Sequence, residues 1–251
     1  MIKLSTECHH LHFMTGKPKV LIIGSAPDAT KARELDLTFF DKVIVINNAW
    51  NIVSNWNELI FPYDFPDNKK PNSIGKQQRF VTEKEFVPAQ ESLGGFVYAG
   101  ATMTFTAGYW ALVEHKPSLM CFLGCNMFYP SDTQTHFYGS GRKDPLRDDI
   151  SLTSLKACSR RLLAIAKMRN CELISLSCGL TNLDIPQVDF SQLANFHTSI
   201  VVDDQIVADA YRLEETLGYF FRGKKYWEFL DQIDKTHLIE LDRVWVDACS
   251  F

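Results

Sequence analysis

Short, almost wholly apolar runs alternate along this chain with stretches of helical periodicity. Lys19–Ile23, Lys42–Ile46, Leu119–Leu123 and Cys171–Leu176 read as strands buried on both faces of a sheet. Glu58–Phe61, Arg79–Val81 and Phe96–Ala99 predict three shorter ones. Between them, Asp28 is placed to cap a helix carrying Ala29, Ala32 and Leu35, and Asn48–Trp56 predicts a short helix. Thr82-Glu-Lys-Glu85 has capping-box spacing. The small residues of Gly100–Gly108 let a helix over Thr102–His115 approach the sheet closely, and Pro117 stops it. Ser151–Arg169 is the clearest amphipathic helix, serine-capped, with Leu155, Leu162, Leu163 and Ala166 on one side. This alternation predicts an α/β fold: a mostly parallel, Rossmann-like sheet with helices on both faces.

Two segments break the rhythm. Pro62–Gln78 reads as a long surface loop, and Cys125–Asp149 is an insertion of about 25 residues rich in Tyr, Ser, Asp, Gly and Arg. From Pro186 onward the pattern changes. Gln205–Leu217, Lys224–Ile233 and Leu238–Ala248 predict helices, while Leu193–Val202 fits helix or strand. The expected organisation is an α/β domain over residues 1–186, with a lid or loop at 125–150, and a helical C-terminal extension over 187–251 packed on it. Tyr219, Phe220, Phe221, Tyr226, Trp227, Phe229 and Trp245 crowd that extension. They suit a helical cap, a lid or a homo-oligomer surface.

Composition narrows the class. Of 251 residues, 46% are hydrophobic and 22% charged, enough for a full-sized core. The net charge of −4 gives no diffuse positive field, and no basic stripe stands out, so no nucleic-acid partner is expected. No run of eighteen apolar residues exists, so no transmembrane segment is expected. The first ten residues lack the regions of a signal peptide. Seven cysteines at irregular spacing, several inside apolar runs, predict a reducing, cytoplasmic setting. Cys8, His9, His10 and His12 crowd too tightly for a tetrahedral ion, and Cys121-x-x-x-Cys125 lacks a second pair. Both read as structural, and no metal site is expected.

The chemistry concentrates where strands end. The first strand empties into Gly24-Ser-Ala-Pro27, a small-residue turn that leaves backbone N–H groups to meet a phosphate or sugar oxygen. The second ends in Asn47-Asn48, which suits a base edge or ribose as well as a turn. One glycine, with no acidic residue after the second strand, disfavours NAD. Walker, G-x-S-x-G and Asp-x-Asp patterns are absent, which points away from P-loop, hydrolase and metal-held sugar-diphosphate chemistry. After the central strand, Tyr129–Arg147 gathers a histidine, two tyrosines and three cations. His136 is the natural proton acceptor from a sugar hydroxyl, and Tyr129, Tyr138 and Arg142 suit a departing phosphate. His115 reads as meeting a helix C-terminal dipole, and His197 and His237 stand alone.

These segments in order are Gly-Ser-Ala-Pro (24–27), Asn47-Asn48, Thr102–Thr106, Leu-Gly-Cys-Asn-Met-Phe-Tyr (123–129), His-Phe-Tyr-Gly (136–139) and Ser-Cys-Gly-Leu-Thr-Asn (177–182). The series resembles the bacterial sialyltransferases of the Campylobacter type over roughly residues 19–183. The resemblance implies a nucleotide-binding α/β domain with a lid, and metal-independent, inverting transfer of sialic acid from CMP. By position it implies nucleotide contacts at Gly24, Ser25 and Asn47 or Asn48, and phosphate or sugar contacts at Thr102 and Thr104. It also implies help to the leaving phosphate at Tyr129, and a nucleotide-site role for Asn126 in place of the family's strand-end aspartate. Ser25 stands for the family's loop asparagine, Ala101 for its helix-opening arginine and Ser140 for its second histidine; His136 matches the first. The expectation is a glycosyltransferase-like protein taking CMP-sialic acid or a related nucleotide-sugar and a glycan acceptor, with no cofactor. Two alternatives stand beside it. One is an ATP- and Mg²⁺-dependent diphosphotransferase like the archaeal-type hydroxymethylpterin pyrophosphokinases, which have a similar glycine-proline turn. The other is a non-catalytic nucleotide-sugar binding module.

Overall fold

The computed structural model describes residues 16–95, 97, 102–129, 134–139, 149–177, 179–196, 198–223 and 225–251. Its centre is a six-stranded, all-parallel sheet: β1 (Lys19–Ile23), β2 (Lys42–Ile46), β3 (Glu58–Ile60), β4 (Arg79–Val81), β5 (Leu119–Leu123) and β6 (Glu172–Ser175). The spatial order is β4-β3-β2-β1-β5-β6. The chain walks outward from β1 to β4, then returns to lay β5 against the free side of β1, Leu21 opposite Cys121. The order in which strands are added therefore reverses between β1 and β5, which is where open α/β sheets place a crevice.

Alternation along the strands divides the core. Val20, Ile22, Ile44, Ile46 and Ile60 face a layer of α-helices: α1 (Glu83–Glu91), α2 (Met103–Glu114) and α3 (Leu155–Met168). Leu21, Ile23, Val43, Val45 and Leu59 face the other way. There the cover is 3₁₀ turns at Pro27–Arg33, Leu37–Phe39, Asn47–Asn51 and Phe190–Asn195, with Phe39, Phe40 and Phe190 in edge and tilted contact. Both faces are covered, as their near-continuous apolar runs require. Gly108 brings α2 close: a Cβ there would lie 2.8 Å from Leu162 and 3.2 Å from Phe122.

Several expected elements differ in detail. Asp28 caps no helix; Ala26 holds that position without a side-chain bond, and both Asp28 carboxylate oxygens are buried with no hydrogen-bond partner among the described residues. Asn48–Trp56 reduces to the 3₁₀ turn Asn47–Asn51. Of Phe96–Ala99 only Val97 is described; it lies outside the sheet, its N–H donating to Tyr219 O at 3.2 Å. The predicted Ser151 helix begins later. Ser154 accepts from the Ala157 N–H at 3.1 Å and caps α3, while Ser151 belongs to a 3₁₀ turn, Ile150–Leu152, capped by Asp149. Lys224–Ile233 holds two 3₁₀ turns, Tyr226–Glu228 and Leu230–Gln232, instead of a helix. Leu193–Val202 contains the end of the Phe190–Asn195 turn and the strand β7 (Val201–Val202).

The C-terminal helix α5 (Lys235–Asp247) packs on α3, α4 (Asp204–Leu217) packs on α5, and β7 pairs antiparallel with β8 (Cys249–Ser250). One buried polar knot joins these layers. Arg161 of α3, fully buried, meets Glu214 of α4 through two bonds of 2.7 and 3.0 Å. It also donates to Tyr109 of α2 at 2.9 Å and to Leu93 O at 2.9 Å, and Trp245 of α5 donates to Glu214 at 2.9 Å. The five described cysteines, at 121, 125, 158, 171 and 249, are buried free thiols. Among the described residues no helix is long and apolar enough to cross a membrane.

Candidate functional site

Above the reversal point, at the carboxyl edge of the strands, lies a cavity of about 1440 Å³. Three strand exits make its floor: Gly24-Ser25 after β1, Asn47-Asn48 after β2 and Gly124-Cys125 after β5. Gly24 N donates to Leu123 O at 2.8 Å and Ala26 N to Gly124 O at 3.0 Å, so the first turn is stitched onto the neighbouring strand exit. This fit admits only glycine. A Cβ at Gly24 would stand 2.3 Å from Gly124 O, and one at Gly124, itself at φ +67°, would stand 2.3 Å from Ala29 Cβ. Asn47 and Met127 hold φ of 51° and 50°, left-handed backbone at two strand exits. Such conformations persist only where the surroundings impose them. Asn47 Oδ1 is buried with no hydrogen-bond partner among the described residues. It is an acceptor of the kind that calls for a donor.

The walls come from distant sequence. Thr102, Thr104 and Thr106 bring the amino end of α2 to the cavity. Beside the first turn, His136 and Gly139 form a small hairpin through two backbone bonds of 3.0 Å, and Phe137 N donates to Ser25 O at 2.9 Å. That last bond seats the hairpin on the first turn. His136 is 5% exposed, its Nδ1 2.9 Å from Thr135 Oγ1. Its ring packs against Tyr129 and Tyr138, with centroids 5.7 and 5.0 Å away. Thus Gly24, Ser25, Asn47, Asn48, Thr102, Thr104, Tyr129, His136 and Tyr138 all line one cavity.

Other expected residues lie elsewhere. Asn126 is not in the lining; its backbone O accepts from Asn182 N at 2.9 Å and Thr181 Oγ1 at 3.1 Å, which ties the β5 exit to the segment after β6. Arg142, Ser140, Ala101, His197 and the Cys8–His12 group lie outside the described residues. Cys125 does line the cavity, but burial pushes its thiol up to about 12, so it is protonated and donates to Leu123 O. His115, at the end of α2, does more than meet a dipole: its Nε2 lies 3.1 Å from buried Glu58. His237 lies in α5, its Nδ1 3.3 Å from the Tyr219 hydroxyl. Among the described residues no group of three or more His, Cys, Asp or Glu is placed to hold a metal ion.

Sequence reasoning missed two parts of the site. Thr135, which orients His136, carries no motif. The segment around Tyr226 and Trp227 forms a whole wall, tied down by the Tyr226 hydroxyl donating to Asp149 at 2.6 Å. Its aromatic density was the available signal, but no spacing rule aims an irregular segment at a cavity. The chain matches no protein-family model, no curated protein and no solved structure.

Proposed function

We propose that this chain is a glycosyltransferase that moves a sugar from a nucleotide donor, CMP-linked sialic acid or a relative, to a glycan hydroxyl with inversion. One observation carries the reading: the bare turn after β1, the asparagines after β2, the amino end of α2 and the Tyr129–His136–Tyr138 cluster all line a single cavity at the sheet's reversal point. The amino end of α2 suits phosphate, the N–H groups of Gly24 and Ala26 being committed to the β5 exit, and the asparagines suit base or ribose.

In this reading His136 Nε2 takes the proton of the acceptor hydroxyl. The freed oxygen pair attacks the anomeric carbon from the face opposite the nucleotide, and the C–O bond to phosphate breaks with its electrons going to the phosphate. For that role the Nδ1–H tautomer hydrogen-bonds to Thr135 Oγ1, 2.9 Å away, and Nε2 acts as the base. The hydroxyls of Tyr129 and Tyr138, with Arg142, stabilise charge on the departing phosphate. No resident cofactor or metal takes part. His136→Ala should lower donor turnover by roughly 10²–10⁴-fold while CMP affinity stays near wild type. Turnover within a few-fold of wild type in a coupled nucleotide-release assay would remove His136 from the mechanism.

A further inference from the structure

The cavity, at about 1440 Å³, exceeds the roughly 300–1,000 Å³ that one small ligand usually fills. Its floor is small residues and backbone, whereas another part of its lining is aromatic. Tyr63, from the loop after β3, and Trp227, from the segment between α4 and α5, stack with centroids 6.1 Å apart and planes 12° from parallel. Both stay open to solvent, at 59% and 45% exposed, while Trp56, Trp110 and Trp245 are buried. Lys225 Nζ stands 5.2 Å from the centre of the Tyr63 ring. Tyr226 meets Trp227 edge-on at 5.4 Å, and its bond to Asp149 anchors the ledge.

Exposed flat aromatics beside an ammonium group and the Asp64 carboxylate match a ligand with an apolar face and a polar rim. A pyranose has that form: its C–H face covers the ring while its hydroxyls reach the charged groups. The groups suited to a nucleotide belong to the β2 exit and the amino end of α2, so the ledge is left to the second reactant. We infer that the Tyr63–Trp227 ledge, with Lys225, is a pyranoside-binding subsite that seats the acceptor. Its role as acceptor subsite rests on the transferase reading; its affinity for a pyranose does not.

The test is calorimetric titration of the full chain with two probes taken separately: CMP, and methyl pyranosides bearing a neutral or a carboxylate-substituted ring. Saturable pyranoside binding is expected, weakened about tenfold by Trp227→Ala and by Tyr63→Ala, with CMP affinity within about twofold of wild type. Trp227→Phe, which keeps a ring, should retain most of the affinity and serves if the alanine variants fold poorly. The inference fails if no pyranoside binds saturably. It fails equally if CMP affinity falls as far as pyranoside affinity, since the ledge would then carry the nucleobase. Ledge-dependent pyranoside binding without any CMP binding would sink the transferase reading and leave the carbohydrate subsite standing.

Discussion

A methyl group added at Gly24 would sit 2.3 Å from the Gly124 carbonyl oxygen and 2.8 Å from the Cys125 sulfur. Both neighbours belong to the β5 exit, and the nearer clash is with a backbone oxygen that cannot move aside. Gly24→Ala should cost about 1–3 kcal/mol in urea unfolding, the usual range for overpacking. Gly75→Ala, whose Cβ would meet only the Gln78 side chain at 3.4 Å, should be close to neutral. Glu58 makes the opposite kind of residue-scale statement. Burial favours its neutral form, but hydrogen bonds from His115, Trp110 and Arg79, with the charge of His115, outweigh that and hold the carboxyl near 2. Because the folded value lies below the ordinary 4.5, the stabilisation is complete above that pH and is lost as pH falls toward about 2. It amounts to about 3 kcal/mol. Glu58→Gln should therefore flatten the stability curve between those limits, as followed by denaturation at a series of pH values. The sequence displays Glu58 at the head of a short strand, but His115 and Trp110 reach it only through the packing of α2.

At the scale of elements, the Arg161–Glu214 pair decides how the C-terminal helices attach. It is buried, bidentate and shared with Tyr109, Trp245 and the carbonyl of Leu93. Removing one partner strands a charge in the core. Arg161→Met alone should cost about 3–5 kcal/mol, and adding Glu214→Leu should recover part of it, since an apolar pair needs no compensation. Guanidinium denaturation of the single and double variants checks both. The helices that meet here were largely legible: α4 and α5 come within a few residues of their predicted limits because amphipathic periodicity is a local property, and α2, buried from Thr104 to Leu112, was marked by its small residues and the Pro117 stop. The failures have local causes too. Two serines three apart both precede the α3 pattern, and only Ser154 reaches an N–H of the first turn. Lys224–Ile233 carries enough apolar residues for a helix, yet Phe221 and Phe229 stack at 5.0 Å across it, and the backbone closes as 3₁₀ turns.

On the scale of the whole molecule, the arrangement predicts a ligand response. If the floor binds the nucleotide of the donor, CMP at about 100 times its Kd should add roughly 2.7 kcal/mol to folding stability, with no dependence on Mg²⁺. A thermal-shift series reads this directly, and stabilisation by ATP only with Mg²⁺ would favour diphosphoryl transfer instead. Tight nucleotide binding with no donor turnover would favour a binding module.

The chain's own order of residues determined the six strands of the parallel sheet and the small-residue turn after β1, because burial and backbone sterics act over a few neighbours at a time. It also marked His136, Tyr129 and Tyr138 as chemically apt, through side-chain type alone. Only the tertiary structure decided that Phe137 docks on Ser25, that Thr135 holds the His136 ring, and that Tyr63 and Trp227 meet beside the same cavity. The first and last of these join positions far apart in the chain, and the geometry of all three depends on strand order and on irregular segments. Neither leaves a periodic trace in sequence.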